Sequence, residues 1–119
     1  MSPTPLQDVS LEAAAPGTTV VVFSGEHDLA SAPEVRELLD SRLQQDDLLV
    51  ADFSSAQFVD SSILGVVLDT QARALELGKV FRLQLRTTDI VQRAFEIAGV
   101  FTVVEHVTTR DEALRRDTS

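Results

Sequence analysis

The chain contains no cysteine, which removes disulfides, thiolate nucleophiles and cysteine-held metals at once. Its two histidines, His27 and His106, are too few to build a structural zinc site without cysteine. Their positions suggest no serine-histidine-acid arrangement either, so hydrolase chemistry is not expected. Glycine is sparse. Gly25 stands isolated and Gly65 falls inside a helical pattern, so no phosphate-cradling nucleotide loop is present. No apolar run approaches the length needed to span a bilayer. The opening residues Met1-Ser2-Pro3-Thr4-Pro5 lack the basic-then-apolar pattern of a signal peptide. Basic residues are few as well: 10 against 19 acidic ones give a formal charge of -9. That field opposes docking on DNA, RNA or anionic lipid and favours a partner with a basic surface.

What remains is ordinary for a folded soluble domain, with 44% hydrophobic and 24% charged residues. A length of 119 residues fits one domain with a core of its own. Residues 1–8 read as a flexible tail, 9–116 as the domain, and 117–119 as a frayed end. Val9 to Ala13 suits a short edge strand, Pro16-Gly17 a turn, and Thr18 to Phe23 a central strand. Ser31-Ala32-Pro33-Glu34 has the spacing of a capping box with proline in the first turn, and Val35, Leu38, Leu39 and Leu43 give that helix a core face. Leu48 to Phe53 is too continuously apolar to be buried on one side only. A short loop then leads to a helix from about Ser61 to Leu77, stopped by Gly78. Leu64, Leu68, Ala72 and Leu75 form its stripe, Ile63, Val67 and Ala74 flank it, and Asp69, Arg73 and Glu76 lie opposite. Val80 to Leu85 alternates as a strand. Thr88-Asp89 starts a third helix packed through Ile90, Val91, Ala94, Phe95, Ile97 and Ala98 and stopped by Gly99. Phe101 to Val104 is expected as the last strand, and Thr109-Arg110-Asp111-Glu112 as the cap of a final helix of about two turns.

The order β-β-α-β-α-β-α-β-α implies an α/β layered domain with a mostly parallel sheet of four to five strands and about four helices. Right-handed crossovers put the loops after Phe23, Phe53 and Leu85 on one edge, where such sheets carry their sites. Glu26, Asp28, Asp60, Ser61, Ser62, Thr87 and Thr88 should gather there. Ser61 at a helix start can cap the helix, bind an anion or be phosphorylated, and Asp60 competes for the capping role. Phe58 and Val59 read as anchors holding the loop, with a partly exposed Phe58 able to enter an interface. An aspartyl-phosphate receiver built on Asp52, Asp28 and Asp60 is rejected, because the single lysine, Lys79, begins the next strand at the opposite edge.

Over nearly its whole length the chain resembles the STAS domains, and among them the bacterial anti-sigma factor antagonists. Ser24-Gly25-Glu26-His27-Asp28-Leu29 with Ala32-Pro33 is similar to the family's first strand-to-helix segment. Asp52-Phe53 and Phe58-Val59-Asp60-Ser61-Ser62 resemble its phosphorylation loop, and Ile90 to Gly99 with Phe101-Thr102-Val103-Val104 its third helix and closing strand. Each fragment alone is weak, but their order and spacing are specific. Two positions depart from the pattern. Ile63 stands where the family commonly has glycine or another small residue, and His27 where an aliphatic residue is more usual.

The resemblance implies a cytoplasmic, non-enzymatic antagonist that needs no cofactor. Its partner would be an anti-sigma factor with a histidine-kinase-like ATPase fold, which phosphorylates Ser61 (alternatively Ser62) and thereby releases it. A serine phosphatase would restore binding. Glu26, Asp28, Asp60, Ser61, Ser62, Ile63 and Gly65 are the expected partner-binding residues, with Asp28 near the acceptor, and Thr87 and Thr88 offer a second, less favoured acceptor site. No contact with nucleic acid or membrane is expected. A monomer is expected when free, since no face shows an obvious surplus apolar stripe. The rival reading is a STAS module that never receives phosphate and binds a protein or small ligand with the same edge.

Overall fold

The computed structural model describes residues 8–86 and 90–116. Most of the expected tail, the Thr87-Thr88-Asp89 segment and the last three residues lie outside that range. The elements run β1 (Val9–Ala15), β2 (Thr18–His27), α1 (Ala32–Gln45), β3 (Leu48–Val59), α2 (Ser61–Leu77), β4 (Val80–Gln84), α3 (Ile90–Ile97), a 3-10 turn (Val100–Thr102), β5 (Glu105–Val107) and α4 (Arg110–Ala113). The five strands form one sheet in the order β1-β2-β3-β4-β5. β1 pairs antiparallel with β2, and every other neighbour is parallel. The expected α/β layer with its mostly parallel sheet is therefore the fold.

Burial on both faces explains why Leu48 to Phe53 carries no exposed residue. Leu49, Ala51 and Phe53 face α1, α2 and α3 in the main core. Leu48 and Val50 face the other way, toward Val20 and Ala113 of α4. The front core has an aromatic row. Phe23 stacks on Phe53 at 4.4 Å between centroids, and Phe53 meets Phe95 edge-on at 5.1 Å. Phe95 is followed by Phe101 at 6.0 Å, which stacks on His106 at 4.0 Å.

The back layer is thin, and arginines fasten it. Arg110 donates from Nη2 to Asp52 Oδ2 at 2.7 Å, from Nε to Gln84 Oε1 at 2.8 Å, and from Nη1 to Glu12. Arg82, 7% exposed, donates to Glu105 at 2.6 Å, to the Ala113 carbonyl at 3.0 Å and to the Arg115 carbonyl. It thus satisfies backbone acceptors that the end of α4 leaves open. Removing Arg110 leaves the Asp52 carboxylate, only 8% exposed at its side chain, without its cation. Arg110→Ala is expected to cost about 2–3 kcal/mol, below the usual figure for a broken buried pair because the arginine is itself partly solvated. Urea unfolding measures it, and Asp52→Leu combined with Arg110→Met should recover most of the loss. A single-variant cost under about 1 kcal/mol contradicts this account of the back layer.

Several boundaries and faces differ from the sequence reading. β3 does not stop at Phe53 but runs to Val59, so the expected loop shrinks to Asp60 alone. The extension pairs with β2 across two register shifts, between Val22 and Ser24 and between Gly25 and Glu26, bulges that bend the strand ends where the candidate site lies. Ser31 takes the expected N-cap position of α1, with proline in the first turn, but makes no side-chain capping bond; its hydroxyl donates back to the Asp28 carbonyl at 3.1 Å. In α2 the buried residues are Ile63, Leu64, Val66, Val67, Thr70 and Ala74, whereas Ala72 and Leu75 of the expected core stripe are exposed. Asp69 and Arg73 turn instead toward α1, where they pair with Arg36 at 2.5 Å and Asp40 at 3.2 Å. In α3, Val91 and Phe95 are buried, but Ile90, Ile97 and Ala98 are exposed. Phe101 to Val104 is no strand. Gly99 takes a left-handed conformation and starts the 3-10 turn, and Glu105–Val107 pairs with β4 in its place. The terminal helix is a single turn, capped by Thr109 as expected.

Candidate functional site

The carboxyl ends of β2 and β3 bring the expected residues together. The β2–β3 register sets Glu26 beside Phe58 and His27 beside Val59. The turn after His27 holds Asp28, whose Oδ1 accepts the Ala30 N–H at 3.0 Å. Gly25 carries φ 68°, and a Cβ there would meet Asp8 Oδ2 at 2.7 Å. The second bulge therefore requires glycine.

Asp60 is the hinge pin of this edge. Its backbone N–H donates to the His27 carbonyl at 3.2 Å. Oδ2 accepts the Leu29 N–H at 3.0 Å, tying the β2–α1 turn to the start of α2. Oδ1 accepts the Ser62 N–H at 3.0 Å, the Ile63 N–H at 3.4 Å and the Ser62 hydroxyl. The capping role left open between Asp60 and Ser61 thus falls to Asp60. The Ser62 hydroxyl bond, with the backbone donors of Ile63, Ser62 and Leu29, holds the Asp60 carboxyl below its ordinary value of 3.8 against a partial desolvation that raises it.

A depressed carboxylate pKa stabilises the fold above its unfolded value, and the contribution is lost as pH falls through the folded value. Asp60→Ala is expected to cost about 1–2 kcal/mol at neutral pH. Wild type and variant should converge below the ordinary value of 3.8. Denaturant midpoints measured across the acid range test this. A gap that persists unchanged in acid assigns the loss to something other than the carboxylate.

The two serines differ in kind. Ser62 is half-buried and bound to Asp60. Ser61 is exposed as the first residue of α2, and its hydroxyl takes no partner among the described residues. Ile63 is 0% exposed. Its bulk goes into the core, so only its backbone lies at the edge. Gly65 follows Ser61 by one helical turn, and a Cβ there would meet no atom of the described residues within 4 Å, the helix's own nearby backbone aside. Thr87 and Thr88 lie outside the described residues.

Sequence reading missed two features of this edge. Leu29, 71% exposed beside Asp60, joins Phe58 at 43% as an apolar knob among carboxylates; a lone leucine between Asp28 and Ala30 has no periodic neighbour to mark it. His27 is 1% exposed and lies edge-on to Phe23 at 5.2 Å. Its Nε2 donates to the Ser24 carbonyl at 2.9 Å, while Nδ1 is buried without a partner. The aspartyl-phosphate reading stays excluded on geometry: Asp52 faces the back layer with Arg110, and Lys79 pairs with Asp47 at 3.7 Å. Among the described residues no group of three acidic or histidine side chains could hold a metal, and no helix is long and apolar enough to cross a membrane.

The sheet and its helix layer define a small α/β domain, with its candidate site at the carboxyl ends of β2 and β3. The family model described as Mlab, STAS domain matches residues 10–105, and the chain belongs to the STAS domain family. Solved structures agree. An anti-sigma factor antagonist from Mycobacterium paratuberculosis shares 25% identity with a TM-score of 0.76, covering 89% of each chain. A putative anti-sigma factor antagonist from Thermotoga maritima shares 16% with a TM-score of 0.78, over 91% of this chain and 92% of the other. The phosphorylated form of the Bacillus cell fate determinant SpoIIAA shares 20% with a TM-score of 0.69, over 89% and 96%. No curated protein matches the chain in sequence.

Proposed function

We propose that this protein is an anti-sigma factor antagonist whose grip on an anti-sigma kinase is released by phosphorylation of Ser61. The observation that carries the reading is the contrast between the two serines, one hydroxyl free and exposed and its neighbour tied to Asp60. SpoIIAA of Bacillus, which shares the fold, has been solved in phosphorylated and unphosphorylated forms. This supports a fold that persists through the modification. The chain supplies an acceptor hydroxyl and a docking edge of Leu29 and Phe58 among Glu26, Asp28 and Asp60. The partner supplies ATP, magnesium and the base. Ser61 Oγ bonds to the γ-phosphorus, the β–γ bridging bond breaks, ADP leaves, and the hydroxyl proton passes to the partner's base.

Charge explains the release. Phosphate adds about -1.5 to -2 units beside Asp60. A helix N-terminus would ordinarily cradle such an anion, but Asp60 already accepts the Ser62 and Ile63 N–H groups. The phosphate therefore stays outward, in the interface, where a desolvated anion is costly. A serine phosphatase that hydrolyses the ester resets the surface. Intact mass after incubation with each candidate anti-sigma kinase and Mg-ATP tests the reading. One added phosphate on the wild type and none on Ser61→Ala is expected. Binding without any transfer would favour the module that never takes phosphate.

A further inference from the structure

The opposite edge of the sheet reverses the charge of the Ser61 edge. Where β3 and β4 begin, a cavity of about 360 Å³ has Asp47, Leu48, Val80, Arg82, Arg115 and Arg116 in its walls. It lies roughly 30 Å from Ser61 along β3. Its volume falls within the ~300–1,000 Å³ of small-molecule sites. Four of the chain's 10 basic side chains meet at this corner: Lys79, Arg82, Arg115 and Arg116. Two carboxylates answer them. Glu105 accepts from Arg82 Nε at 2.6 Å. Asp47 stands 3.7 Å from Lys79 and 3.9 Å from Arg116, too far for a hydrogen bond to either.

Donors are left over. Arg82 is nearly buried, with Nε and Nη1 committed, and its Nη2 takes no partner among the described residues. Arg115 is exposed, and its guanidinium makes no hydrogen bond or ion pair among them. Arg116 is fixed through Nη2 to Thr18 and to the Pro16 carbonyl at 3.1 Å. The groove between α1 and α2 is larger, about 490 Å³, but Asp69 answers its Arg36, and Asp40 and Glu76 answer its Arg73. That groove has no cation to spare.

Three arginines around an open cavity suit an anion with three acceptor oxygens, as a phosphomonoester has. Leu48 and Val80 add an apolar wall, which favours a phosphate that carries an organic group. The carboxylates beside Ser61 lie several screening lengths away at physiological salt, so their repulsion is largely lost here. We propose that this corner binds a small phosphorylated organic molecule, its phosphoryl oxygens on Arg82 Nη2, Arg115 and Arg116 and its apolar part against Leu48 and Val80. Such an occupant clamps the end of α4 onto the starts of β2 and β4. The site is independent of the function proposed for the Ser61 edge.

The test is an NMR titration of the isotope-labelled full chain with phenyl phosphate, inorganic phosphate or phenol at matched ionic strength. Phenyl phosphate should shift the amides of Leu48, Val80 and Arg116, saturating with a Kd of about 1 mM or tighter, and leave those of Leu29 and Ser61 in place. Inorganic phosphate should reach the same amides at least about fivefold more weakly, and phenol should move none. Arg115→Gln should weaken phenyl phosphate at least about fivefold. Arg93→Gln, which removes the same charge from an exposed position on α3, should change it less than about twofold. Thermal melts check that both variants stay folded. Equal affinity for inorganic and phenyl phosphate overturns the organic ligand. Scattered or unsaturable shifts, or equal losses in the two variants, mean an adventitious ion only and overturn the site.

Discussion

Ser61→Asp is expected to weaken binding of the anti-sigma factor by at least about a hundredfold while leaving the thermal midpoint within a few degrees of wild type. The two halves of that result have separate causes. Inside the chain, an anion on the first residue of α2 meets the positive end of the helix, worth about 0.3–1 kcal/mol. Repulsion from Asp60, whose carboxylate bonds the adjacent backbone N–H groups, offsets much of that gain. In the complex the same anion is stripped of water beside Asp28 and Asp60, and a hundredfold loss is only about 2.7 kcal/mol. Calorimetric binding and thermal melts on the same samples separate the halves. Added salt screens part of the repulsion, so the deficit should narrow at high ionic strength. Wild-type affinity in Ser61→Asp and in enzymatically phosphorylated protein would rule out the switch.

Phe53→Ala is the substitution expected to damage the fold most. Phe53 is fully buried, stacked on Phe23 with an interplanar angle of 2° and met by Phe95 at 60°. Truncating it removes the middle ring of the row and leaves a cavity between the sheet and α3, at a cost of about 3–5 kcal/mol. Against a total stability of order 5–15 kcal/mol that is a large fraction, equivalent to at least about 12 °C in midpoint for a domain of this size. Leu75→Ala removes comparable apolar volume from an exposed position and should change stability by less than about 0.5 kcal/mol. Comparing the two by differential scanning calorimetry checks the assignment of faces. A Leu75 variant as damaged as the Phe53 variant would contradict it.

The α/β order, the two-sided burial of Leu48 to Phe53 and the helix stops at Gly78 and Gly99 were legible because each rests on local chemistry: continuous apolar runs, strand and helix periods, and residues that tolerate positive φ. Asp28, Asp60, Ser61 and Ser62 were legible as one surface because the topology alone carries them to one edge. The phase of α2 was not. Ile63, Val66, Val67, Thr70 and Ala74 compete with Leu64, Leu68, Ala72 and Leu75, and both sets fit a helical stripe. The decision came from burial of Ile63, Val66, Val67 and Ala74 in the core shared with the sheet and α1, and the exposed pairs of Asp69 and Arg73 with Arg36 and Asp40, 33 residues away, follow from it; no local pattern contains that. The length of β3 was hidden in the same way. Ser54, Ser55 and Gln57 look like a loop until the bulged pairing with β2 makes them strand. Phe101 to Val104 has strand composition, yet Gly99 turns the chain so that Val100 and Val104 enter the core.

Asp60 alone separates β3 from α2, and this brevity sets what kind of signal a phosphate on Ser61 would send under the function proposed above. With no slack on either side, the serine is held by a strand behind it and a helix ahead of it. A modification there has no loop to rearrange and no hidden segment to expose. Under the proposed switch, the message would be carried as an electrostatic sign on an unchanged outline, legible to any neighbour close enough to feel the field. Recognition of the two forms then becomes a matter of reading polarity rather than shape. The ordering entropy that a disordered tail would lose on docking has already been absorbed in folding, which suits the cycle of capture and release proposed for this chain.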